Sequence, residues 1–223
     1  MNRFILSFSI YGNDPIYTYG IVENAKLVPI IYPGWKMFVY HGVEVNPAVI
    51  SLLKTLGCET RVMSHMYGTP PAPLVGRVSV FGKFWRFFAI AEPGVERVMF
   101  RDCDSRINVR ERAAAWAWVQ SGLILHTMKD HINHDRFPIL AGMWGIKGAA
   151  VDIISLLSKW SYSGDWYDDQ TFLANTIWTF VKHSHIGHGG GQWHVGRIPF
   201  PPHEPFVGFV GQRVTHDNKL MYE

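Results

Sequence analysis

The sequence predicts an α/β protein in one domain over residues 1–223, with a mostly parallel central sheet flanked by helices. Three observations carry this. Apolar runs alternate with helix-spaced stretches as strand, helix, strand, helix, strand from Phe4 to Met63. Both helices in that stretch open on an Asx-Pro pair, Asp14-Pro15 and Asn46-Pro47. A later buried run, Val98-Met99-Phe100, leads within four residues to Asp102 and Asp104. In open α/β sheets the carboxyl ends of strands face the ligand crevice.

Phe4–Ile10 is a strand that ends in the turn Tyr11-Gly12-Asn13. Asp14 caps the next helix, Ile21, Ala25 and Val28 space its buried face, and Pro33-Gly34 ends it. Lys36–His41 is the second strand. Asn46 caps a helix through Leu56, stopped by Gly57, and Glu59–Met63 is the third strand. This alternation requires parallel pairing through right-handed crossovers. Gly12 stands alone in the first strand–helix turn, so the three-glycine dinucleotide fingerprint is absent. Ser64–Val80, rich in Pro and Gly, reads as a long loop over the carboxyl edge. Phe81–Ala91 reads as a helix carrying Lys83 and Arg86, and Val95–Arg101 as the strand that delivers the aspartates. Asn108–Gln120 is a helix stopped by Ser121-Gly122. Leu123–Met128 and Ile139–Gly145 are strands, and Ala149–Trp160 and Tyr167–Phe180 are helices. Val181–His185 reads as a strand end, and the chain beyond His183 as Gly-, Pro- and His-rich and extended. There is no internal repeat and no linker.

Of the 223 residues, 48% are hydrophobic and 17% charged, a globular balance that excludes disorder. Aromatics make up 14%, including nine Trp. Aromatic-rich clefts hold sugars or bases, and aromatics also fill cores. A net charge of +3 suits an anionic ligand but is too small to argue for nucleic acid. Cys58 and Cys103 make no disulfide framework, so a reducing compartment is expected. Met1–Ile10 lacks the build of a signal peptide, and no apolar run reaches membrane-spanning length. The expectation is a soluble cytoplasmic protein.

The chemistry concentrates at Asp102-Cys103-Asp104. Two hard oxygen donors on one side of a crevice suit Mg²⁺ or Mn²⁺, which keep positions for water and phosphate. The alternative is a polar turn with solvated aspartates. Four segments then occur in order: Gly82-Lys83-Phe84-Trp85-Arg86-Phe87, Phe100-Arg101-Asp102-Cys103-Asp104-Ser105-Arg106, Gly142-Met143-Trp144-Gly145 and Asp168-Asp169-Gln170-Thr171-Phe172-Leu173. From Phe4 to about Val210 the chain resembles GT-A-fold glycosyltransferases that use nucleotide-sugar donors. It is loosely similar to the galactosyltransferase-like family and to bacterial and viral relatives.

That resemblance implies a GT-A-like, Rossmann-like domain moving a sugar from a nucleoside diphosphate sugar, UDP by analogy, to a glycan or other hydroxyl acceptor. It places Mn²⁺ or Mg²⁺ between Asp104 and the diphosphate, with Asp102 sharing the ion or holding the ribose, and Cys103 beside the donor. The metal would neutralise the leaving diphosphate. Phe8, Ser9, Ile10 and Tyr11 would form the base pocket, with Tyr11 stacking on the base or simply capping the core. Lys83 and Arg86 would meet donor phosphate or sugar, each with a salt bridge as its plain alternative. Gly142 and Trp144 would line the sugar side. Asp130 and His131 would reach the acceptor, or Asp130 would cap a loop. Asp169, and behind it Asp168, would face the anomeric carbon, although acidic residues at a helix start also simply favour the dipole. A late histidine, His183 or His185, would be the third metal ligand, although the family's His-x-x-Gly-x-x-Lys-Pro-Trp pattern is missing. Gly189-Gly190-Gly191 would be a lid or a phosphate cradle. Two rivals stand beside this reading. A sugar-1-phosphate nucleotidyltransferase needs a Gly-rich basic signature that Ile10–Tyr19 lacks. A silent nucleotide- or glycan-binding module is opposed by the joint presence of Asp102, Asp104 and Asp169.

Overall fold

Local caps set the first half of the molecule. Asp14 accepts a hydrogen bond from the Ile16 amide at 2.9 Å and opens α1 (Pro15–Ile31) after β1 (Arg3–Ile10). Asn46 accepts from the Ala48 amide at 2.9 Å and opens α2 (Pro47–Thr55) between β2 (Lys36–His41) and β3 (Glu59–Val62). The computed structural model describes residues 3–63, 78–189, 198–205 and 208–221. The remaining elements are α3 (Val78–Trp85), β4 (Val95–Arg101), α4 (Val109–Ser121), β5 (Leu125–Lys129) and β6 (Met143–Lys147). They are followed by α5 (Ile153–Lys159), α6 (Asp168–Asn175), α7 (Ile177–Val181), β7 (His185–Gly189) and β8 (Ile198–Pro199).

Among the described residues the strands form one eight-stranded sheet in the order β3-β2-β1-β4-β6-β5-β7-β8. Only β6 runs against its neighbours, pairing antiparallel with both β4 and β5. The sheet is therefore mostly parallel, and β1, β4, β5 and β7 all end at one edge. Alternation along β1 builds two cores. Leu6 and Phe8 pack with Ile21, Ala25 and Trp118 on the α1 and α4 side. Ile5 packs with Phe38, Phe100 and Trp144 on the side of α3, α5 and α6.

Several boundaries depart from the sequence expectation, each for a local reason. Helix α3 begins at Val78, inside the expected loop, whose residues 64–77 lie outside the described ones. It gives way at Trp85 to a 3₁₀ turn, Arg86–Ala91. Phe84, Phe87 and Ile90 are all buried at spacings of three, the period of that tighter helix. Strand β6 starts at Met143 and not at Ile139, because the Met143 amide bonds back to the Leu140 carbonyl at 3.0 Å. Helix α5 starts at Ile153, capped by Asp152 onto the Ser155 amide at 3.0 Å, while Ala149 sits at φ 54°. The expected helix Tyr167–Phe180 breaks at Thr176, whose hydroxyl donates to the Phe172 carbonyl at 2.5 Å. Strand β7 begins at His185, where a strand was expected to end, because Lys182–Ser184 form a 3₁₀ turn.

Candidate active site

Strand β4 ends in a turn held from three sides. Arg101, 1% exposed, pairs with Glu111 of α4 at 3.0 Å. Its guanidinium also donates to the Gly142 carbonyl and, at 3.2 Å, to the Ser105 hydroxyl. The Cys103 thiol donates to the Ser9 carbonyl at 3.2 Å. From α1, Asn24 donates to the Ser105 carbonyl at 2.8 Å and accepts from the Ile107 amide at 3.0 Å. Helix and turn approach so closely that a Cβ on Gly20 would lie 2.0 Å from the Cys103 carbonyl oxygen. Asp102 and Asp104 thus project from a fixed backbone.

Both open into a cleft of about 570 Å³ at the carboxyl edge, shared with Asp169, Lys83, Arg86 and Arg213. Arg86, 5% exposed, bridges two acids: it pairs closely with Asp102 and sits 3.3 Å from Asp169. A third bond, 3.2 Å to the Arg101 carbonyl, fixes its plane. Asp104 pairs with Arg213 at 2.9 Å, and its carbonyl accepts from the Val214 amide at 2.7 Å. Gly142 packs directly on Asp102, where a Cβ would fall 1.8 Å from the carboxylate.

These contacts separate the acids electrostatically. Loss of water pushes the Asp102 carboxyl up, but the charge and hydrogen bond of Arg86, with Arg101 and Lys83, hold it below the ordinary range. Asp104 is pushed up by burial and then by the charge of Asp102, against the pull of Arg213. Asp169 is pushed up by burial, against Arg86 and Lys83. The Lys83 ammonium is pushed down by burial, with Asp169 opposing. The donor set suits a hard divalent cation that shares its shell with substrate oxygens. Two carboxylates two residues apart face the cleft, and among the described residues no group of three His, Cys, Asp or Glu forms a closed cage.

No protein-family model matches the chain, and no curated protein matches it by sequence. Solved structures match it by shape. A glycosyltransferase involved in glycosylation of the major capsid of PBCV-1 superposes with a TM-score of 0.52 at 14% identity, covering 85% of this chain and 82% of its own. Glucosyl-3-phosphoglycerate synthase from Mycobacterium tuberculosis, bound to phosphoglyceric acid, gives 0.53 at 9% identity over 88% of this chain and 73% of its own. The same synthase with Mn²⁺, UDP-glucose and phosphoglyceric acid gives 0.51 at 12% identity, covering 84% and 69%. The chain has the GT-A fold.

The cleft gathers Ser9, Ile10 and Tyr11 from the end of β1, Lys83 and Arg86, Asp102-Cys103-Asp104, Gly142 and Asp169. Tyr11 packs edge-on against Trp85, with ring centroids 6.1 Å apart, and against Gly82 of α3. Other expected residues lie elsewhere. Phe8 and Trp144 are fully buried core residues, Trp144 stacked on Phe100 at 4.3 Å, because alternation along their strands turns them off the edge. Asp168 serves the backbone: it accepts from the Trp160 indole at 3.1 Å and from the Ser163 and Gly164 amides at 3.1 and 3.4 Å. Asp130 is held by Arg110 through two 2.7 Å bonds and accepts from the Val210 amide at 3.0 Å. His131 caps the 3₁₀ turn Ile132–Arg136 and stacks on Phe209 at 4.4 Å, while His134 lines the cleft in its place.

The metal expectation for His183 and His185 fails on topology. Strand β7 runs parallel to β5, so His185 starts it at the far edge, bonded to the Thr127 hydroxyl at 2.8 Å, and His183 precedes it. Four residue steps of about 3.3 Å separate that end from the edge where the aspartates sit. Gly189 ends β7, while Gly190 and Gly191 lie outside the described residues. Arg213 and Trp166 line the cleft without any local motif to announce them.

Proposed function

We propose that this chain is a single-domain transferase over residues 1–223 that moves a sugar from a nucleoside diphosphate sugar to a hydroxyl acceptor. One observation carries the reading: Asp102 and Asp104 at the end of a central strand share a cleft with Asp169, which Arg86 ties to Asp102. Asp102 and Asp104 would hold Mn²⁺ or Mg²⁺. That ion, when bound, supplies Lewis-acid stabilisation of the departing diphosphate. Arg213, paired with Asp104, adds positive charge where the leaving group gathers negative charge, and Lys83 lines the same cleft. Asp169, buried and pushed toward the neutral form, is placed to take the acceptor's proton or to face the sugar cation. The β1 end at Ser9–Tyr11 offers backbone groups and an aromatic ring for the base. UDP is the nucleotide this reading favours, since the synthase of the same fold has been solved with UDP-glucose and Mn²⁺. Cys58 and Cys103, both buried free thiols, fit a reducing, cytoplasmic setting.

Calorimetry of UDP binding tests this. Affinity should be high with Mn²⁺ and weaker by about tenfold or more in EDTA and in Asp104→Ala, because diphosphate oxygens complete the shell that two carboxylates begin. Equal affinity in all three would overturn the metal-bridged site.

A further inference from the structure

Trp166 lies on the rim of the cleft with its side chain in solvent, 71% exposed. A lone exposed aromatic needs no explanation. Trp166 differs because the chain on both sides of it is tied down while the ring is left out. On its N-terminal side, the Asp168 carboxylate takes the Ser163 and Gly164 amides and the Trp160 indole. On its C-terminal side, Tyr167 is held under the Arg136 guanidinium at 4.1 Å. At Trp166 itself, Lys83 reaches over from α3 and donates to the backbone carbonyl at 2.7 Å. The same ammonium sits 4.0 Å from the centroid of the Trp166 ring. An indole is thus presented in a fixed place on the rim of the cleft that Asp169 also lines.

A second observation lies next to it. Gln170 lines the same cleft, and its Oε1 is buried without a hydrogen-bond partner among the described residues. An orphaned acceptor of this kind is costly unless a ligand supplies a donor. A flat apolar surface beside an unfilled hydrogen-bond acceptor matches one chemical class. A pyranose ring has a face of C–H bonds that covers an aromatic plane and a rim of hydroxyls that donate hydrogen bonds.

The geometry points to Trp166 as the platform on which the acceptor docks, and to an uncharged sugar ring as the acceptor class. This rests on the sugar-transfer reading above. The ring lies on the indole, one hydroxyl donates to Gln170 Oε1, and the hydroxyl that receives the transferred sugar faces Asp169. In the transfer, the acceptor oxygen forms the new bond to the anomeric carbon as the diphosphate oxygen leaves with its electron pair, and the acceptor proton passes to the carboxylate. A small anionic acceptor would instead rely on Lys83 and leave the indole unused.

The test is ligand-observed saturation-transfer NMR on the full chain with UDP and Mg²⁺. The probes are methyl glucosides, methyl galactosides, lactose and maltose, with 3-phosphoglycerate as the anionic probe. Wild type should bind at least one neutral sugar. Trp166→Ala should weaken that binding by about tenfold or more, as for one good contact residue, with UDP affinity unchanged, and Trp166→Phe should restore part of it. Neutral sugars that bind Trp166→Ala as well as wild type would overturn the inference. So would binding of 3-phosphoglycerate alone. Either result, with UDP still bound, leaves the donor site standing. Failure of wild type to bind UDP with Mg²⁺ would overturn the sugar-transfer reading and this inference with it.

Discussion

Asp168 and Asp169 are neighbours in the first turn of one helix, and the fold gives them opposite tasks. A helix rotates about 100° per residue, so adjacent carboxylates cannot share a direction. Asp168 turns into the loop before the helix and takes two amides and an indole N–H. Asp169 turns toward Arg86, whose other side holds Asp102. Asp169→Asn keeps the shape and removes the charge. It should spare UDP binding and cut sugar transfer by about 10²- to 10⁴-fold, the usual range for a positioned acid or base. Rates at saturating donor, beside UDP affinity, check this, and near-normal turnover would remove Asp169 from the chemistry. Asp102, Asp104 and Asp169 were legible because each belongs to a short pattern at an element end. Arg213 was not: it reaches Asp104 across 109 positions, and no local pattern links them. The sequence marks Arg86 as a candidate donor-binding cation, and the structure buries it between Asp102, just past β4, and Asp169 of α6, a pairing that no local pattern announces. In the fold it ties the two carboxylates together and favours the ionised form of each, against the burial that raises Asp169, so its removal would strip both of their nearest cation.

At the scale of elements, the stretch from Arg3 to Met63 is readable almost residue by residue. Its helices carry Asx-Pro caps and its strands are bounded by glycine and proline. The second half was harder, because its boundaries answer to tertiary contacts. The sequence ends a strand at Val181–His185, whereas β7 begins at His185, so His183 and His185 lie at the edge opposite the aspartates. The histidines do serve this part of the sheet. His126 of β5 and His188 of β7 are fully buried and bond ring to ring at 2.9 Å, with His126 stacked on Trp118 at 5.4 Å. Burial holds His126 well below the ordinary histidine range and pushes His188 down to about 4, with neighbouring histidines adding to both. The folded state therefore binds fewer protons than the unfolded state below the ordinary value of 6.5. Stability should fall as pH drops from there toward about 4. The slope is up to about 1.4 kcal/mol per pH unit per histidine. Urea denaturation across that window checks it, and a His126→Gln chain should show a shallower acid loss. An unchanged slope would mean that the pair does not set the acid limit.

Across the whole molecule, the reversed strand β6 joins two parallel blocks and brings Gly142 against Asp102. The link that holds this junction is polar and buried. Arg101 grips the Gly142 carbonyl and Ser105, and behind it stands Glu111, which also meets Tyr32 at 3.3 Å and Asn108 at 3.5 Å. Helix α4, strand β4 and the entry to β6 converge on one guanidinium, and Tyr32, just past α1, joins them through Glu111. Nothing in the sequence pairs Arg101 with Glu111, because the partner is ten positions away on the next element and both residue types are ordinarily exposed. Burial raises the Glu111 carboxyl to about 7, against the pull of Arg101. Its sign is opposite to that of the histidines. The folded state holds a proton here that the unfolded state, with a carboxyl near 4.5, releases. The contribution is complete below about 4.5 and is lost as pH rises through about 7. Glu111→Gln removes this titration and leaves the histidines in place. Gln has the shape of the neutral carboxyl that the folded state holds at low pH, so the variant should be about as stable as wild type below about 4.5 and climb more steeply than wild type across that window. Urea midpoints of both chains at several pH values decide the matter. Two parallel curves would show that Glu111 keeps an ordinary carboxylate's charge throughout, and that the ion pair with Arg101 fully offsets its burial.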